Sequence, residues 1–393
     1  MGTTPSVRNF LGASFRLNPE CEIVPFDDLI GTEKDALSAL KLDPSFYGVV
    51  RSRLSGFSLK SICHDTAHLL YSLRNPSPIP SHARAKLGEQ CLATVAKLVL
   101  DSVLEISTDD GFVSGGSAHS AVFDLGECSP LRGQSELTIS ALKYAQSLNL
   151  EDSYAISTRL YGYNRLPATP AWRRKLPTES AVMAFFDLEQ GTRNACLLER
   201  NWKAWDSANG SSAWLGWTSK RRQPYSHSER SFKLYVSPLP ECLPDCFREA
   251  LAVGTESGAR ALKVAKDVYG VLRPDKLILY FDTEESMTAS AAALKVKLRG
   301  IPGHRVPFTA AIDNEGILSW GVDPPSLERL LPWQGPSWRS WITDRIAVAL
   351  TNSRSVPFPL EPWQAALDRV SLESVNILAW QPLPELWQET ILQ

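Results

Sequence analysis

The segment from 231 to 325 constrains the fold of this chain more than any other part. It contains, in this order, SFKLYVSP, ARALKV, LRPDKLILYF, GHRVPFTAAI and GILSWGVDPP. Each piece is a short run of β-forming residues with a Lys, Arg or His in it or beside it. Apolar strands that repeatedly carry cations predict a sheet with one face built to hold an anion.

Helix patterns accompany these strands. Residues 283–300 have Thr283 as an N-cap, acidic residues in the first turn and basic residues in the last, and Gly300 ends the helix. Amphipathic helices are also predicted over 243–253 and 337–352. The order strand, helix, strand, strand, helix, strand, strand, helix is typical of an α+β fold.

More β structure is expected ahead of the cationic strands. The predicted pieces are a strand at 159–164 (RLYGYN) and a hairpin of 181–188 with 194–199. Residues 201–217 are predicted to form a second hairpin or an irregular connection through NGSS. The proline-rich residues after 356 predict a tail that wraps around the domain without regular packing.

The first 150 residues have a different texture. Apolar periodicity predicts helices there, over 58–74, 83–106 and 135–150, with the second running into a strand at VLEI. All twelve tryptophans follow residue 171, and residues 159–233 hold thirteen Lys and Arg against six Asp and Glu. We therefore expect two domains. A mostly helical N-terminal domain spans 1–150, and 151–393 form an α+β domain whose mixed, largely antiparallel sheet has a cationic face and flanking helices.

Composition argues against several functions. The formal net charge of −2 gives no general reason for nucleic-acid binding. The sequence has no run of 18 uncharged apolar residues, which is the length that a membrane-spanning helix needs. Seven irregularly spaced cysteines predict no disulfide framework, and His64 and His68 lack the HExxH context of a metal pair. We expect a cytoplasmic protein, because the first residues lack a secretory signal. We also expect neither a metal nor an organic cofactor.

The cationic strands supply the candidate catalytic residues. Strand alternation places Lys233 and Tyr235 on one face of FKLYVS. Lys263 lies between apolar neighbours, and burial lowers the pKa of a lysine because the charged form loses solvation. It is therefore a candidate general base, or else a lysine at a strand end. The planar guanidinium of Arg273 suits phosphate oxygens, or it pairs with Asp275.

Other polar residues complete the set of candidates. His304 stands at a strand start and is either a proton donor near pH 7 or a solvated loop residue. Asp323 favours a turn before the prolines of VDPP, and Arg339 favours solvation of its helix. Further candidate substrate-binding cations are Lys276, Arg305, Arg345 and Arg159. The basic and aromatic residues interleaved in AWRRK and WTSKRRQPY form either a surface for a nucleic acid or acidic peptide, or solvated loops.

The motif order in 231–350 resembles that of the Hop-type bacterial type III effector family. KLYVSP, ALKV, RPDKLILY, RVPFT, GILSWGVDPP and SWRSWITDRIAVAL follow one another as the corresponding family motifs do. Homologues of those effectors are assigned as the lyase component in class V lanthipeptide and thioamitide biosynthesis. A more distant similarity is to phosphothreonine lyases, in which one lysine removes the α-proton, a histidine or second lysine protonates the leaving phosphate, and arginines hold it.

This resemblance implies that Lys233 and Lys263 lie near the proton transfers and that Arg273 binds phosphate. Tyr235 stands where those lyases have a histidine, so Tyr235 or His304 would be the proton donor. The implied function is a lyase that eliminates phosphate from phosphorylated Ser or Thr of a precursor peptide to give dehydroamino acids, with a kinase as a partner protein.

Two alternatives remain open. One is a non-catalytic peptide- or phosphate-binding module that partners a peptide-modifying enzyme. The other is an aromatic prenyltransferase-type barrel, which would hold a diphosphate inside a closed ring of antiparallel strands.

Overall fold

The computed structural model describes residues 7–53, 59–124, 135–205, 213–221, 230–325 and 337–388. The strands are β1 (Phe15–Leu17), β2 (Cys21–Pro25), β3 (Phe46–Ser52), β4 (Lys60–Cys63), β5 (Leu104–Thr108), β6 (Gly111–Val113), β7 (Trp202–Ala204), β8 (Trp214–Ser219), β9 (Phe232–Val236), β10 (Ala261–Ala265), β11 (Leu277–Phe281), β12 (Ala310–Ala311), β13 (Leu318–Val322), β14 (Val375–Asn376) and β15 (Gln381–Pro382). The helices are α1 (Gly31–Leu37), α2 (His64–Ser72), α3 (Ser81–Leu87), α4 (Cys91–Leu100), α5 (His119–Val122), α6 (Glu136–Ser147), α7 (Ser153–Tyr161), α8 (Pro170–Lys175), α9 (Glu179–Phe185), α10 (Arg193–Asn201), α11 (Leu243–Glu256), α12 (Val268–Val271), α13 (Glu284–Lys297), α14 (Trp338–Asn352), α15 (Pro362–Ser371) and α16 (Glu385–Gln388). The predicted α+β class is confirmed.

A seven-stranded sheet is the centre of the fold. Its strand order is β12-β13-β9-β11-β10-β8-β7, and each neighbouring pair is antiparallel. Over the described residues the sheet is open, because β12 and β7 lie at opposite edges. A closed prenyltransferase-type barrel is therefore wrong for this chain.

The two faces of this sheet differ in polarity. Leu234, Leu279 and Leu262 are directly opposite one another in β9, β11 and β10, and all three are buried. Helices α11 and α13 cover this side, and Gly254 of α11 approaches so closely that a Cβ there would lie 2.8 Å from Leu279 Cδ2. Burial of each leucine stabilises this arrangement by about 1.5–3 kcal/mol relative to exposure. The alternate residues, which include Lys233 and Lys263, consequently point to the other face.

The two larger hydrophobic cores of the described residues are formed by different parts of the sequence, one before residue 135 and one after it. One is built from residues between Phe10 and Phe123, and the larger one from residues between Ala141 and Leu386. Buried polar pairs join the N-terminal residues to α15. Asp101 Oδ2 lies 2.7 Å from Arg369 Nη2. His119 Nε2 lies 2.9 Å from Asp368 Oδ2. The division into domains at 150 stays a prediction.

The N-terminal residues contain β structure beside the expected helices. Strands β1, β5 and β6 form one three-stranded sheet, and β2, β3 and β4 form another. Residues 58–74 were expected to form one helix, but their first part is β4, which pairs with β3 before α2 begins at His64. Pairing with a neighbouring strand outweighed the local helical periodicity.

Two β predictions between 151 and 200 are wrong. Residues 159–164 were expected to be a strand, but the first three of them end α7 and the rest form a turn. The N-cap of α7, Asp152, accepts hydrogen bonds from the backbone N–H groups of Tyr154 and Ala155. The expected hairpin of 181–199 is instead α9 and α10, and the hydroxyl of Thr178 caps α9. Side-chain caps favour helix at these positions over the strand propensity of the apolar residues.

The predicted hairpin within 201–217 is confirmed as β7 and β8. The predicted strands β9, β10, β11 and β13 and helices α11, α13 and α14 also form. The segment RVPFTAAI gives only the short β12, because Phe308 has φ of 59° and leaves extended geometry there. The proline-rich tail packs more regularly than expected, as α15 and the β14–β15 pair. None of the helices in the described ranges is long and apolar enough to cross a bilayer.

Candidate active site

Two lysines approach one tyrosine ring on the polar face of the seven-stranded sheet. Lys233 in β9 is directly opposite Tyr280 in β11, and Lys263 in β10 is opposite Ile278, two residues earlier. Opposite residues of antiparallel strands share a face. Lys233 Nζ lies 5.3 Å from the Tyr280 ring centre, and Lys263 Nζ lies 5.5 Å from it. The register therefore brings the two amines over the same ring.

Lys233 is held by a carboxylate. Its Nζ lies 2.6 Å from Asp323 Oδ1, and both side chains are buried. The same oxygen accepts the backbone N–H of Trp338, at the start of α14, at 3.0 Å. Asp323 directly follows β13, which pairs with β9, so the strand register delivers the carboxylate to the lysine. This ion pair fixes the position of the Lys233 ammonium.

Lys263 has aromatic neighbours. Its Nζ lies 4.3 Å from the ring centre of Trp214, and it forms no salt bridge with any residue in the described ranges. Burial lowers the pKa of Lys263 to about 8, and repulsion from Lys233 and Arg273 acts in the same direction. A substantial fraction of this amine is therefore neutral near physiological pH.

A buried carboxylate joins two arginines beside the lysines. Asp275 accepts hydrogen bonds from Arg273 Nε at 2.8 Å and Arg273 Nη2 at 2.9 Å. Arg339 Nη1 lies 2.8 Å from Asp275 Oδ2, and the Tyr161 hydroxyl donates to that oxygen at 3.3 Å. Burial alone would raise the pKa of Asp275, but Arg339 and Arg273 together hold it below its usual range. Asp275 is therefore ionised.

The cluster retains a positive charge despite its carboxylates. Three cations, Lys233, Arg273 and Arg339, face two carboxylates, Asp275 and Asp323. Protonation of Lys263 would add a fourth cation. The polar face can therefore attract an anion, and more strongly as the pH falls.

Tyr235 lies on the same face of β9 as Lys233, two residues further along the strand, and its side chain is buried. It is opposite Ile278 in β11 and Ser319 in β13, and it packs with Ile278 and Val306. Burial raises the pKa of the Tyr235 hydroxyl well above its ordinary value. The hydroxyl therefore keeps its proton at neutral pH.

Lys276 and His304 form a separate buried pair. Lys276 Nζ donates to the carbonyl oxygen of Pro238 at 2.7 Å and lies 2.7 Å from His304 Nδ1. Burial lowers the pKa of Lys276 to about 7, and burial together with the neighbouring lysine lowers that of His304 to about 4. His304 is therefore a neutral acceptor for Lys276.

Three other candidate cations lie apart from the lysine pair. Arg345 stacks over the Trp341 ring, 3.7 Å from its centre, with Nε 3.6 Å from Glu373 Oε2. It is six positions from Arg339 on α14 and points to another side of the helix. Arg305 is exposed and packs along Gly316. Arg159 is exposed on α7.

Sequence reasoning did not assign Tyr280, Arg339 or Trp214 to this cluster, and its expectation that Arg339 solvates the helix is wrong. Tyr280 shares a strand face with Ile278, a signal present in LILYF once the strand is aligned with β9. Arg339 is 1% exposed, and its position among the apolar residues of α14 was the available signal. Trp214 had no signal, because its place depends on β8 pairing with β10.

Comparisons with known proteins find structural neighbours only. No protein-family model and no curated protein matches the chain. Its structural neighbours include bacterial effector proteins, one of them a type III effector. An effector protein from Pseudomonas syringae pv. tomato strain DC3000 aligns over 62% of this chain and 96% of its own, with 11% identity and a TM-score of 0.37.

Phosphothreonine lyases are among these neighbours. OspF from Shigella flexneri aligns over 52% of this chain and 98% of its own, with 12% identity and a TM-score of 0.27. SpvC from Salmonella aligns over 53% of this chain and 98% of its own, with 15% identity and a TM-score of 0.26.

Proposed function

We propose that this chain is a lyase that eliminates phosphate from phosphorylated Ser or Thr in a peptide. The observation that supports the proposal most is the amine of Lys263, which lies on a net-positive sheet face with a pKa lowered to about 8. Elimination requires a base for the α-proton and cations for the departing phosphate. Both kinds of group are present on one face.

Each residue has a specific role in the proposed reaction. The neutral amine of Lys263 takes the proton from Cα, and the electrons of that C–H bond form the Cα=Cβ double bond. The Cβ–O bond breaks and its electrons leave with the phosphate. Tyr235, whose hydroxyl holds its proton, supplies a proton to the leaving oxygen. The products are a dehydroamino acid in the peptide and inorganic phosphate, with Lys263 protonated and Tyr235 left as a phenolate. Return of the proton from Lys263 to Tyr235, through water, restores both groups for the next turnover.

Lys233 and Arg273 are proposed to bind the phosphate. Their carboxylate partners, Asp323 and Asp275, hold them in place before the substrate arrives, so little reorganisation is needed. Among the described residues, the hydrogen bonds of Arg273 use Nε and Nη2. Nη1 is the remaining nitrogen of this guanidinium for a phosphate oxygen.

A peptide substrate is supported by basic residues of a helix whose preceding segment contacts the residue before Arg273. Helix α8 exposes Arg173, Arg174 and Lys175. The backbone of Leu166, just before α8, donates to the carbonyl of Leu272, which adjoins Arg273. A phosphorylated peptide carries negative charge that these cations attract. A kinase acting earlier on the peptide would supply the substrate.

Mass spectrometry of a phosphothreonine peptide incubated with the protein tests this function. Elimination removes the elements of phosphoric acid, whereas hydrolysis leaves a hydroxyl and a heavier peptide. We expect the eliminated product, and addition of a thiol should convert it into a thioether. An unchanged mass for phosphoserine and phosphothreonine peptides of varied sequence, or a hydrolysed product, would refute the proposal.

A binding module is the second candidate. It is favoured by the fact that Lys233 and Arg273 are already paired with carboxylates, as in a rigid structural cluster. In that case phosphopeptides would bind to the protein and remain phosphorylated. The mass measurement together with a binding titration separates the two functions.

A further inference from the structure

A glycine opposite Lys263 leaves space on the polar face of the sheet. Gly216 in β8 is the direct partner of Lys263 in β10, so both residues present the same face. The ring of Trp205 occupies the place of the missing side chain, since a Cβ on Gly216 would lie 2.2 Å from Trp205 Cε3. Only glycine at this position admits the ring.

Two hydrogen bonds hold Trp205 there. Its backbone N–H donates to the carbonyl oxygen of Gly216 at 2.9 Å. Its indole Nε1–H donates to Thr218 Oγ1 at 2.9 Å, and Thr218 lies two residues along β8 on the same face. The indole therefore lies along β8 from Gly216 to Thr218.

Trp205 lies on the strand next to Lys263, whose amine has two aromatic rings beside it. Trp214 and Tyr280 approach the amine from β8 and β11, with ring centres at 4.3 Å and 5.5 Å. Trp205 is 40% exposed, so one part of it meets solvent while another covers Gly216. It follows the edge strand β7 and packs over Gly216, the strand partner of Lys263.

We propose that Trp205 is a positioning residue that keeps water away from the amine of Lys263. It acts through Lys263 and need not touch the substrate. The proposal deepens the lyase function, because a base must be neutral to accept a proton. Gly216 leaves room for the indole ring, and Thr218 holds the ring by accepting a hydrogen bond from its N–H group.

Hydration is the property that Trp205 can change. Water stabilises an ammonium ion more than an amine, so its exclusion favours the neutral form. An aromatic face attracts the ammonium and acts in the opposite sense. The pKa of Lys263 is lowered and burial is the largest cause, so exclusion of water outweighs that attraction. The charged and titratable groups that also face the cluster are Lys233, Arg273, Asp275, Tyr280, Asp323, Arg339, Tyr161 and Tyr235, and Lys203 lies opposite Thr218 in β7. Trp205 carries no charge, so its substitution alters hydration without altering these partners.

Competitive acetylation of the full-length protein measures the effect. The rate at which acetic anhydride modifies Lys263 is followed against pH by peptide mass, and it reports the fraction of neutral amine. We expect Trp205→Ala to raise the apparent pKa of Lys263 by about one unit, because water enters beside it. Gly216→Ala should shift it in the same direction, since the new methyl displaces the ring. Trp205→Phe keeps an aromatic ring and should shift it less.

Phe358→Ala is the matched control. Phe358 is 94% exposed, precedes α15, and lies outside the sheet, so its removal should leave the pKa of Lys263 unchanged. Thr218→Val provides a milder variant that removes only the indole anchor and should give a small upward shift. The proposal is overturned if Trp205→Ala and Gly216→Ala, both folded by circular dichroism, leave the pKa at the wild-type value.

This readout is independent of turnover. A shift in acetylation without any phosphopeptide elimination would reject the lyase function and keep the role of Trp205 in shielding Lys263. Elimination with no shift would keep the lyase and reject that role. If both hold, the pH profile of elimination should move upward in Trp205→Ala by the same amount as the acetylation pKa.

Discussion

The ammonium of Lys233 and the carboxylate of Asp323 lie 2.6 Å apart on the polar face of the sheet, and the same carboxylate oxygen binds the first backbone N–H of α14. Asp323, the residue after β13, thus connects strand β9 to the start of α14. Both partners are buried, so the loss of either leaves a charge without compensation.

Substitution of Asp323 should destabilise the fold. We expect Asp323→Ala to lower the free energy of unfolding by about 3–5 kcal/mol, because the buried Lys233 ammonium would lose its carboxylate partner. Urea denaturation followed by fluorescence measures this loss. The double variant Asp323→Ala with Lys233→Met should be less destabilised than Asp323→Ala alone. A double variant that loses the sum of the two single effects would show that the pair does not interact.

Elimination should depend on pH through Lys263. The amine must be neutral to act as base, and its pKa is about 8. Below that pH, kcat/KM should fall by about tenfold for each pH unit, and above it the rate should level off. The profile is measured with a phosphothreonine peptide at constant ionic strength. A single limb centred near 6 would instead report titration of the substrate phosphate, and would argue against a lysine base.

Pyridoxal 5′-phosphate should label Lys263. Its aldehyde condenses with a neutral amine, and its phosphate suits the cations Lys233 and Arg273. Borohydride reduction followed by peptide mapping locates the product. We expect modification chiefly at Lys263, with protection by inorganic phosphate. Pyridoxal without the phosphate is the control and should label far less. Equal labelling by both compounds would contradict a phosphate pocket beside this amine.

The buried pair of Lys276 and His304 should affect stability above neutral pH. Lys276 has a folded pKa of about 7 against an ordinary value of 10.5, so between these values the unfolded chain binds more protons than the folded one. The free energy of unfolding should therefore rise with pH, by up to about 1.4 kcal/mol per unit from this residue. Between pH 7 and 8, wild-type protein should show a steeper rise than Lys276→Met in urea denaturation. Parallel pH dependences would contradict the lowered pKa.

Local patterns in the sequence were enough to predict the strands that form the polar face. The alternation in FKLYVS puts Lys233 and Tyr235 on one face, and the helix over 283–300 follows from its caps and end charges. These features depend on neighbours within one turn or one strand, which the sequence states directly.

Features that depend on register between strands were not predictable in this way. The approach of Lys263 to Trp214 and Tyr280 requires β8, β10 and β11 to pair in one alignment. The ion pair of Arg339 with Asp275 joins residues that lie 64 positions apart in the sequence, because α14 packs against the sheet. In a similar way, the caps at Asp152 and Thr178 made helices of segments whose apolar residues favoured strands.

Replacement of Lys263 tests the central claim most directly. The variant Lys263→Ala is compared with wild-type protein and with Lys297→Ala, an exposed lysine on α13 at the other face of the sheet. Loss of phosphate from a phosphothreonine peptide is followed by mass, and peptide affinity is measured separately. The account predicts that Lys263→Ala lowers kcat by about 10²–10⁴-fold while binding persists, and that Lys297→Ala keeps the wild-type rate. A Lys263→Ala variant that eliminates phosphate at the wild-type rate would contradict it.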